Sequence, residues 1–323
     1  MNMTARRRLG STELEVFPMC LGGGVFAWTA DKAQSFDVLD AYADHGGNFV
    51  DTADAYGSWV PGNPPGASEL IIGEWLAARR NRADMVIATK VGQMPNHQGL
   101  SAQNIKDCAR ESMRRLGVDH IDLYYAHEDD PSVELEETLT AFDDLVRAGW
   151  VRYVAASNYS AERLSEALTT SDRLGLTSYV GLQTHYNLVA RDRYEDSLRD
   201  VCAAGGLVCL PYHSVANGFL TGKYRDGSGT VESVRVDAVR PYQNEAGFAV
   251  LATLDRIAQE QATTPGAVAL AWLNAQPTVG VPVASARTPQ QLGELLDVAR
   301  VELTAPDLAA LDEASNRITS QSA

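Results

Sequence analysis

The chain has 323 residues, of which 45% are hydrophobic and 21% charged. That suffices for one large α/β domain or two average ones and excludes a mainly disordered chain. The 42 Asp and Glu against 27 Lys and Arg give a net charge of −15, a field that argues against nucleic acid or an anionic membrane as the main partner.

In chain order, short runs rich in Val, Ile, Leu and Tyr alternate with stretches of helical period. The start carries Arg6, Arg7 and Arg8, but Glu13 and Glu15 interrupt any apolar run that would make a signal peptide. Residues 8–17 read as a hairpin closing the bottom of the fold, and 19–22 as a first strand. Strands are then expected at 48–51, 84–90, 121–126, 151–156, 179–184, 207–211 and 279–283. The helical stretches are 32–45, 68–80, 102–116, 135–148, 161–174, 194–203 and 248–276. Each is long enough to cross between parallel strands.

Eight such units in about 300 residues fit a (β/α)8 TIM barrel, with residues 1–323 as a single domain. A doubly wound sheet is the rival, but Leu21-Gly22-Gly23-Gly24-Val25 is not G-x-G-x-x-G and does not open directly into a helix. Two irregular segments, 57–66 and 213–247, read as long loops at the barrel mouth, the second as a lid over a ligand. The segment after Leu311 is short, which predicts an open pocket. Cys20, Cys108, Cys202 and Cys209 form no C-x-x-C pair and read as reduced, packed thiols of a cytoplasmic protein. No window approaches eighteen consecutive apolar residues.

Catalytic groups of a barrel sit at the carboxyl ends of its strands. Asp51 ends the second strand, with Tyr56 just beyond; Lys90 ends the third and His127 the fourth. Together they can make a proton-transfer site. An ammonium lowers a phenol from its reference pKa of about 10. A carboxylate keeps that ammonium charged, and a histidine orients a substrate oxygen. The set would protonate a carbonyl oxygen as hydride reaches its carbon. No side chain supplies hydride, so a nicotinamide cofactor is implied. Taken singly, each residue has a structural reading: a turn cap, a solvated strand end, a satisfied histidine, loop packing.

Seven blocks carry a resemblance to the aldo-keto reductase superfamily across nearly the whole chain: NFVDTADAYG, VIATKVG, DLYYAHEDD, VAASNYS, GLQTHYNLV, PYHSVANGFLTGKY and VPVASARTPQQLGEL. They stand in the family's order and spacing. The resemblance implies a (β/α)8 barrel that binds NADPH across its mouth and reduces aldehydes or ketones. It implies Tyr56 as general acid, Lys90 as its tuner, Asp51 holding Lys90, and His127 orienting the carbonyl.

For the cofactor, the resemblance implies Ser157, Asn158 and Gln183 at the carboxamide and Tyr212 stacked on nicotinamide. Gly24 and Val25 would lie at the first strand's loop. The loop from His213 to Lys223 would hold the pyrophosphate, and Ser285, Arg287, Gln291 and Glu294 the adenosine end. A cation at Arg287 suits a 2′-phosphate and so NADPH. Two positions depart from the pattern: Leu295 stands where Asn is common, and His213 where Ser is common. Trp28 and Trp59 fall in mouth loops, as walls of a substrate pocket or as loop anchors. Met94, Asn96 and His97 follow Lys90 and could also reach the mouth.

His127-Glu128-Asp129-Asp130 invites a metal, but no H-x-H or H-E-x-x-H supports one. No metal is expected, and the expected partner is a small-molecule carbonyl. Two further readings stand beside the reductase: a cofactor-binding redox-sensing subunit of a larger complex, for which no long N-terminal docking extension is seen, and a keto-sugar or natural-product ketoreductase.

Overall fold

The computed structural model describes residues 6–225, 236–316 and 318. Its first elements are a two-strand antiparallel ribbon, β1 (Arg7–Arg8) and β2 (Glu15–Val16). Leu9 and Leu14, between those strands, are buried against Cys20, Phe49, Val86 and Leu123, so the hairpin plugs the barrel's lower end as expected. Arg7 is not free there: its guanidinium donates to the Asn274 carbonyl and side-chain oxygens at 3.2 and 2.6 Å.

Eight parallel strands follow: β3 (Cys20–Gly22), β4 (Phe49–Asp51), β5 (Val86–Val91), β6 (Ile121–Ala126), β7 (Val151–Ser157), β8 (Gly181–His185), β9 (Val208–Tyr212) and β10 (Val283–Ala284). They pair in the order β9-β8-β7-β6-β5-β4-β3-β10. A parallel bridge between Cys209 and Val279 brings the two edges together, with the Cys209 amide donating to Thr278 at 2.7 Å and the Gly280 amide to Cys209 at 2.9 Å. This is a nearly closed (β/α)8 barrel. Every residue of β5 and β6 is buried, which is why those strands read as unbroken apolar runs rather than alternating ones.

The helices begin where the sequence offers caps. Ser101 starts α3 (Ala102–Leu116), after α1 (Lys32–Asp44) with its Asp31–Gln34 capping box and α2 (Ala67–Arg79). Ser160 likewise starts α5 (Ala161–Leu174), after α4 (Leu135–Arg147). These side chains each satisfy an orphan amide of the first turn. Trp75 on α2 is fully buried, and its indole N–H donates to Asp40 at 2.8 Å, because a buried indole still needs an acceptor.

Three boundaries differ from expectation. The stretch 194–203 is a single turn, Asp192–Glu195, followed by α6 (Leu198–Gly205). The stretch 248–276 is two helices, α7 (Glu245–Glu260) and α8 (Pro265–Asn274). Thr264 caps α8 and Pro265 occupies its first turn, so one helix cannot run through. The last strand is only Val283–Ala284 instead of 279–283, because Pro282 has no N–H for the ladder; its carbonyl still accepts from Cys20 at 2.9 Å. The chain then forms α9 (Pro289–Leu296) and α10 (Ala305–Ser315). All four cysteines are buried and unpaired. Part of the proposed lid, residues 226–235, lies outside the described residues.

Candidate functional site

The second strand stops at Asp51, and the turn that follows is stitched to the third strand. The Thr52 amide donates to Ala88 at 2.9 Å and the Asp54 amide to Lys90 at 3.2 Å. A final hydrogen bond, from the Tyr56 amide to Ala53 at 3.1 Å, turns the tyrosine back over the barrel. Lys90 is fully buried beneath it. Its ammonium has three N–H donors, and all three are used: Asp51 Oδ2 at 2.6 Å, the Thr52 carbonyl at 2.7 Å and the Tyr56 hydroxyl at 3.2 Å. The other oxygen of Asp51 accepts from Gln183 Nε2 at 2.9 Å. His127 stands edge-on to the Tyr56 ring, with centroids 5.7 Å apart.

The electrostatics follow from burial. Desolvation alone would lower the Lys90 ammonium, but Asp51 and Tyr56 overcome it and hold it above its ordinary value. Burial raises the Tyr56 hydroxyl above its ordinary value, against an opposing pull from Lys90. Proximity alone would let the ammonium lower the phenol, but desolvation is the larger effect here. Burial, then Lys90, push His127 down to about 3, so its ring is neutral at ordinary pH and can hydrogen-bond without carrying charge.

Asp51, Tyr56 and His127 line a cavity of about 290 Å³, with Lys90 buried beneath Tyr56. Gly24, Trp28, Trp59, Ser157, Asn158, Gln183, Tyr212, His213 and Ser285 line the same cavity. Trp28 and Trp59 meet edge-on at 5.8 Å, and Trp59 meets Tyr56 at 6.1 Å. With 38% and 49% of their surfaces exposed, they form an open aromatic wall rather than closed loop anchors. Asn158 has φ +57°, a left-handed conformation that Asn tolerates better than most residues. Its amide donates to the His127 carbonyl at 2.9 Å, and its oxygen accepts from the Tyr212 hydroxyl at 2.9 Å. Gln183, expected at a carboxamide, is thus shared with Asp51.

A second cavity of about 90 Å³ continues the groove, lined by Val25, Lys223, Arg287, Gln291, Glu294 and Leu295 among others. Val215, Asn217 and Ser285 line both cavities. A methyl group on Gly22 would lie 2.7 Å from Ser285 Oγ and 3.2 Å from Val283 Cγ1, so glycine eases the close approach of β3 to β10 and the residue after it. Leu295, the departure at the adenine end, is 4% exposed and packs with Leu292 and Leu296 in the core.

Ser214, Val215 and Asn217, which fall within the loop from His213 to Lys223 but are not singled out by the sequence, line the first cavity; the Asn217-Gly218 turn dipeptide is the local signal for them. His185 was missed too. It ends β8, stacks on Tyr212 at 5.7 Å and meets His213 at 5.2 Å, and the rule that found Lys90 and His127 would have found it. Met94 is buried, whereas His97 is exposed in a small ribbon with Gln98. Two of the three acids after His127 are engaged elsewhere. Asp129 accepts two bonds from Arg163 at 2.8 and 3.0 Å, and Asp130 accepts from the Leu100 amide at 2.8 Å.

A barrel with a Tyr–Lys–Asp–His cluster at its mouth and a groove running away from it defines a class of oxidoreductases, and comparison with known proteins gives the family. The model of the Aldo/keto reductase family matches residues 18–316, and the chain belongs to that family. It is 31% identical over 300 residues to a probable voltage-gated potassium channel subunit beta of Arabidopsis thaliana, covering 89% of each chain. It is 31% identical to the uncharacterized oxidoreductase YrpG of Bacillus subtilis, covering 94% of each. It is 27% identical to the norsolorinic acid reductase of Aspergillus flavus, covering 94% of this chain and 79% of that one. Family membership makes the chain an oxidoreductase acting on small-molecule carbonyls with a nicotinamide nucleotide. Among the described residues no helix is long and apolar enough to cross a membrane.

Proposed function

We propose that this chain, acting as one domain in the cytoplasm, reduces an aldehyde or ketone to an alcohol with NADPH, and that Tyr56 is the general acid. The observation that carries the reading is the Lys90 ammonium donating to the Tyr56 hydroxyl while Asp51 and Thr52 hold its other two protons. That arrangement leaves the phenol's own proton free to point into the cavity. Reduced nicotinamide would supply the hydride. As negative charge grows on the carbonyl oxygen, Tyr56 gives up its proton, and Lys90 stabilises the phenolate that remains. Neutral His127 donates a hydrogen bond to the same oxygen and fixes its position, and the wall of Trp28 and Trp59 packs the rest of the substrate.

Ser157, Asn158 and Gln183 suit a carboxamide, and the Tyr212 face suits a stacked nicotinamide ring. Gly24, Val25 and the loop through His213 flank the groove. Lys223 offers positive charge to the pyrophosphate in a protein of charge −15. Arg287, with Ser285, Gln291 and Glu294, suits the adenosine end and a 2′-phosphate, which favours NADPH over NADH.

A second reading is favoured by the similarity to a channel subunit: a cofactor-binding redox sensor attached to another protein. Similarity to a norsolorinic acid reductase favours, within the enzyme class, a natural-product ketone; a keto-sugar is the alternative.

Stopped-flow with NADPH or NADH and a panel of carbonyls tests the reading. Wild type should oxidise NADPH faster than NADH, and Tyr56→Phe should slow reduction by about 10²–10⁴-fold. Equal rates for Tyr56→Phe and wild type would remove Tyr56 from the acid's role. Tight NADPH binding without turnover, together with a stoichiometric partner, would favour the sensor.

A further inference from the structure

Behind the catalytic turn lies a second cluster of buried charge that the mechanism above does not use. Asp54 is only 1% exposed, and neither of its carboxylate oxygens has a hydrogen-bond partner of good geometry among the described residues, although the neighbouring Ala55 amide favours its charged form. Its neighbour Glu69, on α2, is also buried. Glu69 accepts from Thr89 Oγ1 at 2.6 Å and pairs with Arg115 Nε at 2.6 Å. Arg115, from the end of α3, is itself 8% exposed along its side chain. A methyl group on Gly66 would collide with this guanidinium, so the chain is shaped to seat it against Glu69. The cluster therefore holds two carboxyls for one guanidinium already committed to the other carboxyl.

Among the described residues, the remaining groups around Asp54 do not supply a second cation. Lys90 attracts it weakly, since its ammonium is saturated by Asp51, Thr52 and Tyr56. Cys108 on α3 and Tyr124 on β6 share its surroundings, and burial keeps both protonated. The Tyr124 hydroxyl is another buried group without a partner among the described residues. A charged, unbonded carboxylate in such a place is costly, whereas a neutral carboxyl is tolerated. Burial first, and then Glu69, raise Asp54 to about 8, in agreement with that geometry.

Asp54 sits in the middle of the turn that aims Tyr56. Its own amide ties the turn to the Lys90 carbonyl, and Tyr56 follows two residues later. We propose that Asp54 is a positioning residue for Tyr56: as a neutral acid it keeps the 52–56 turn seated over Lys90, and its ionisation beside Glu69 unseats the turn and lowers turnover. The inference rests on the reductase reading for its functional half. An ionised Asp54 can gain a partner in two ways, by moving toward water or by drawing Arg115 from Glu69. The first displaces the segment that carries Tyr56; the second breaks the Glu69–Arg115 pair packed behind it.

The test combines an activity profile with a spectroscopic one. With saturating NADPH and one carbonyl substrate, wild-type kcat/KM should fall by about tenfold from pH 7 to pH 9.5. In Asp54→Asn, which cannot ionise, the ratio of the two rates should move back toward unity by about the same factor. An unaltered alkaline limb in Asp54→Asn overturns the proposal. Infrared difference spectroscopy of the wild type, without substrate, should show a protonated-carboxyl band at pH 7 that disappears in the same pH step as the activity. Absence of that band overturns the proposal even if the variant fails to fold. A protein that shows the band but reduces no carbonyl would overturn the reductase reading and the positioning role, leaving Asp54 as a neutral structural acid.

Discussion

The two ends of the barrel each bury a carboxylate, and they use it differently. At the bottom, Asp122 begins β6 and is 1% exposed. It accepts from Arg82 at 2.8 Å, Arg152 at 2.8 Å and the Ile87 amide at 2.9 Å. At the mouth, Asp51 ends β4 and accepts from Lys90 at 2.6 Å and Gln183 at 2.9 Å. The lower carboxylate is surrounded by fixed guanidinium forks that hold no reacting group. The upper one is joined to a compact ammonium whose last proton is directed at a tyrosine. Arginine stays charged in any setting, whereas lysine couples its charge to its neighbours. On the proposed mechanism, one fold uses the same ion-pair chemistry as a clamp at one end and as a proton-transfer device at the other.

Removing the cation at the mouth should separate the two uses most sharply. Lys90→Met keeps the length of the side chain but leaves Tyr56 without its donor and Asp51 buried without its cation. Turnover measured under saturating cofactor should fall about 10²–10⁴-fold, and denaturant unfolding should show a loss of about 3 kcal/mol. A variant with normal turnover would mean that the mouth cluster is a clamp like the lower one.

The mirror experiment is Asp122→Ala. Arg82 and Arg152 are partly exposed, so water recovers part of what they lose. The expected cost is about 1–3 kcal/mol in stability, read from the urea midpoint. Turnover per folded molecule should stay within about threefold. A hundredfold loss of turnover would show that the two ends are coupled through β5 and β6 and that the division of labour is false.

Much of this division was legible in the sequence because it follows from strand ends. Asp51, Lys90 and His127 each close an apolar run, and a barrel points such residues at the mouth. Seven of the eight strands fell within a few residues of their expected limits, and the eighth failed at Pro282 for a local reason, a missing amide. What the sequence could not show was competition. The spacing of Tyr56 and Lys90 says that an ammonium is near a phenol; only burial decides that desolvation outweighs it. Nor does the motif around Asp51 reveal that Asp54, three residues on, has no side-chain partner among the described residues while Asp51 has two. Side-chain pairing across elements, such as Glu69 with Arg115, depends on helix packing that periodicity does not encode.

The smallest expected effect on turnover is the pH dependence that His127 contributes, and it separates activity from stability as pH is lowered. With the ring held neutral down to about pH 3, kcat/KM should stay level between pH 7 and pH 5 as far as this residue is concerned. Stability behaves otherwise. The unfolded chain's histidine binds a proton near its reference pKa of about 6.5, while the folded one does not. Below that pH the unfolded state holds more protons, so stability falls as pH falls, by up to about 1.4 kcal/mol per pH unit until the folded ring also titrates. His127→Gln should shed that part of the acid dependence in urea unfolding at pH 4 to 7. A wild-type activity profile with an inflection near pH 6.5 that vanishes in His127→Gln would mean instead that the ring does carry charge. The mouth would then use an imidazolium, rather than neutral hydrogen bonding, to hold the substrate oxygen.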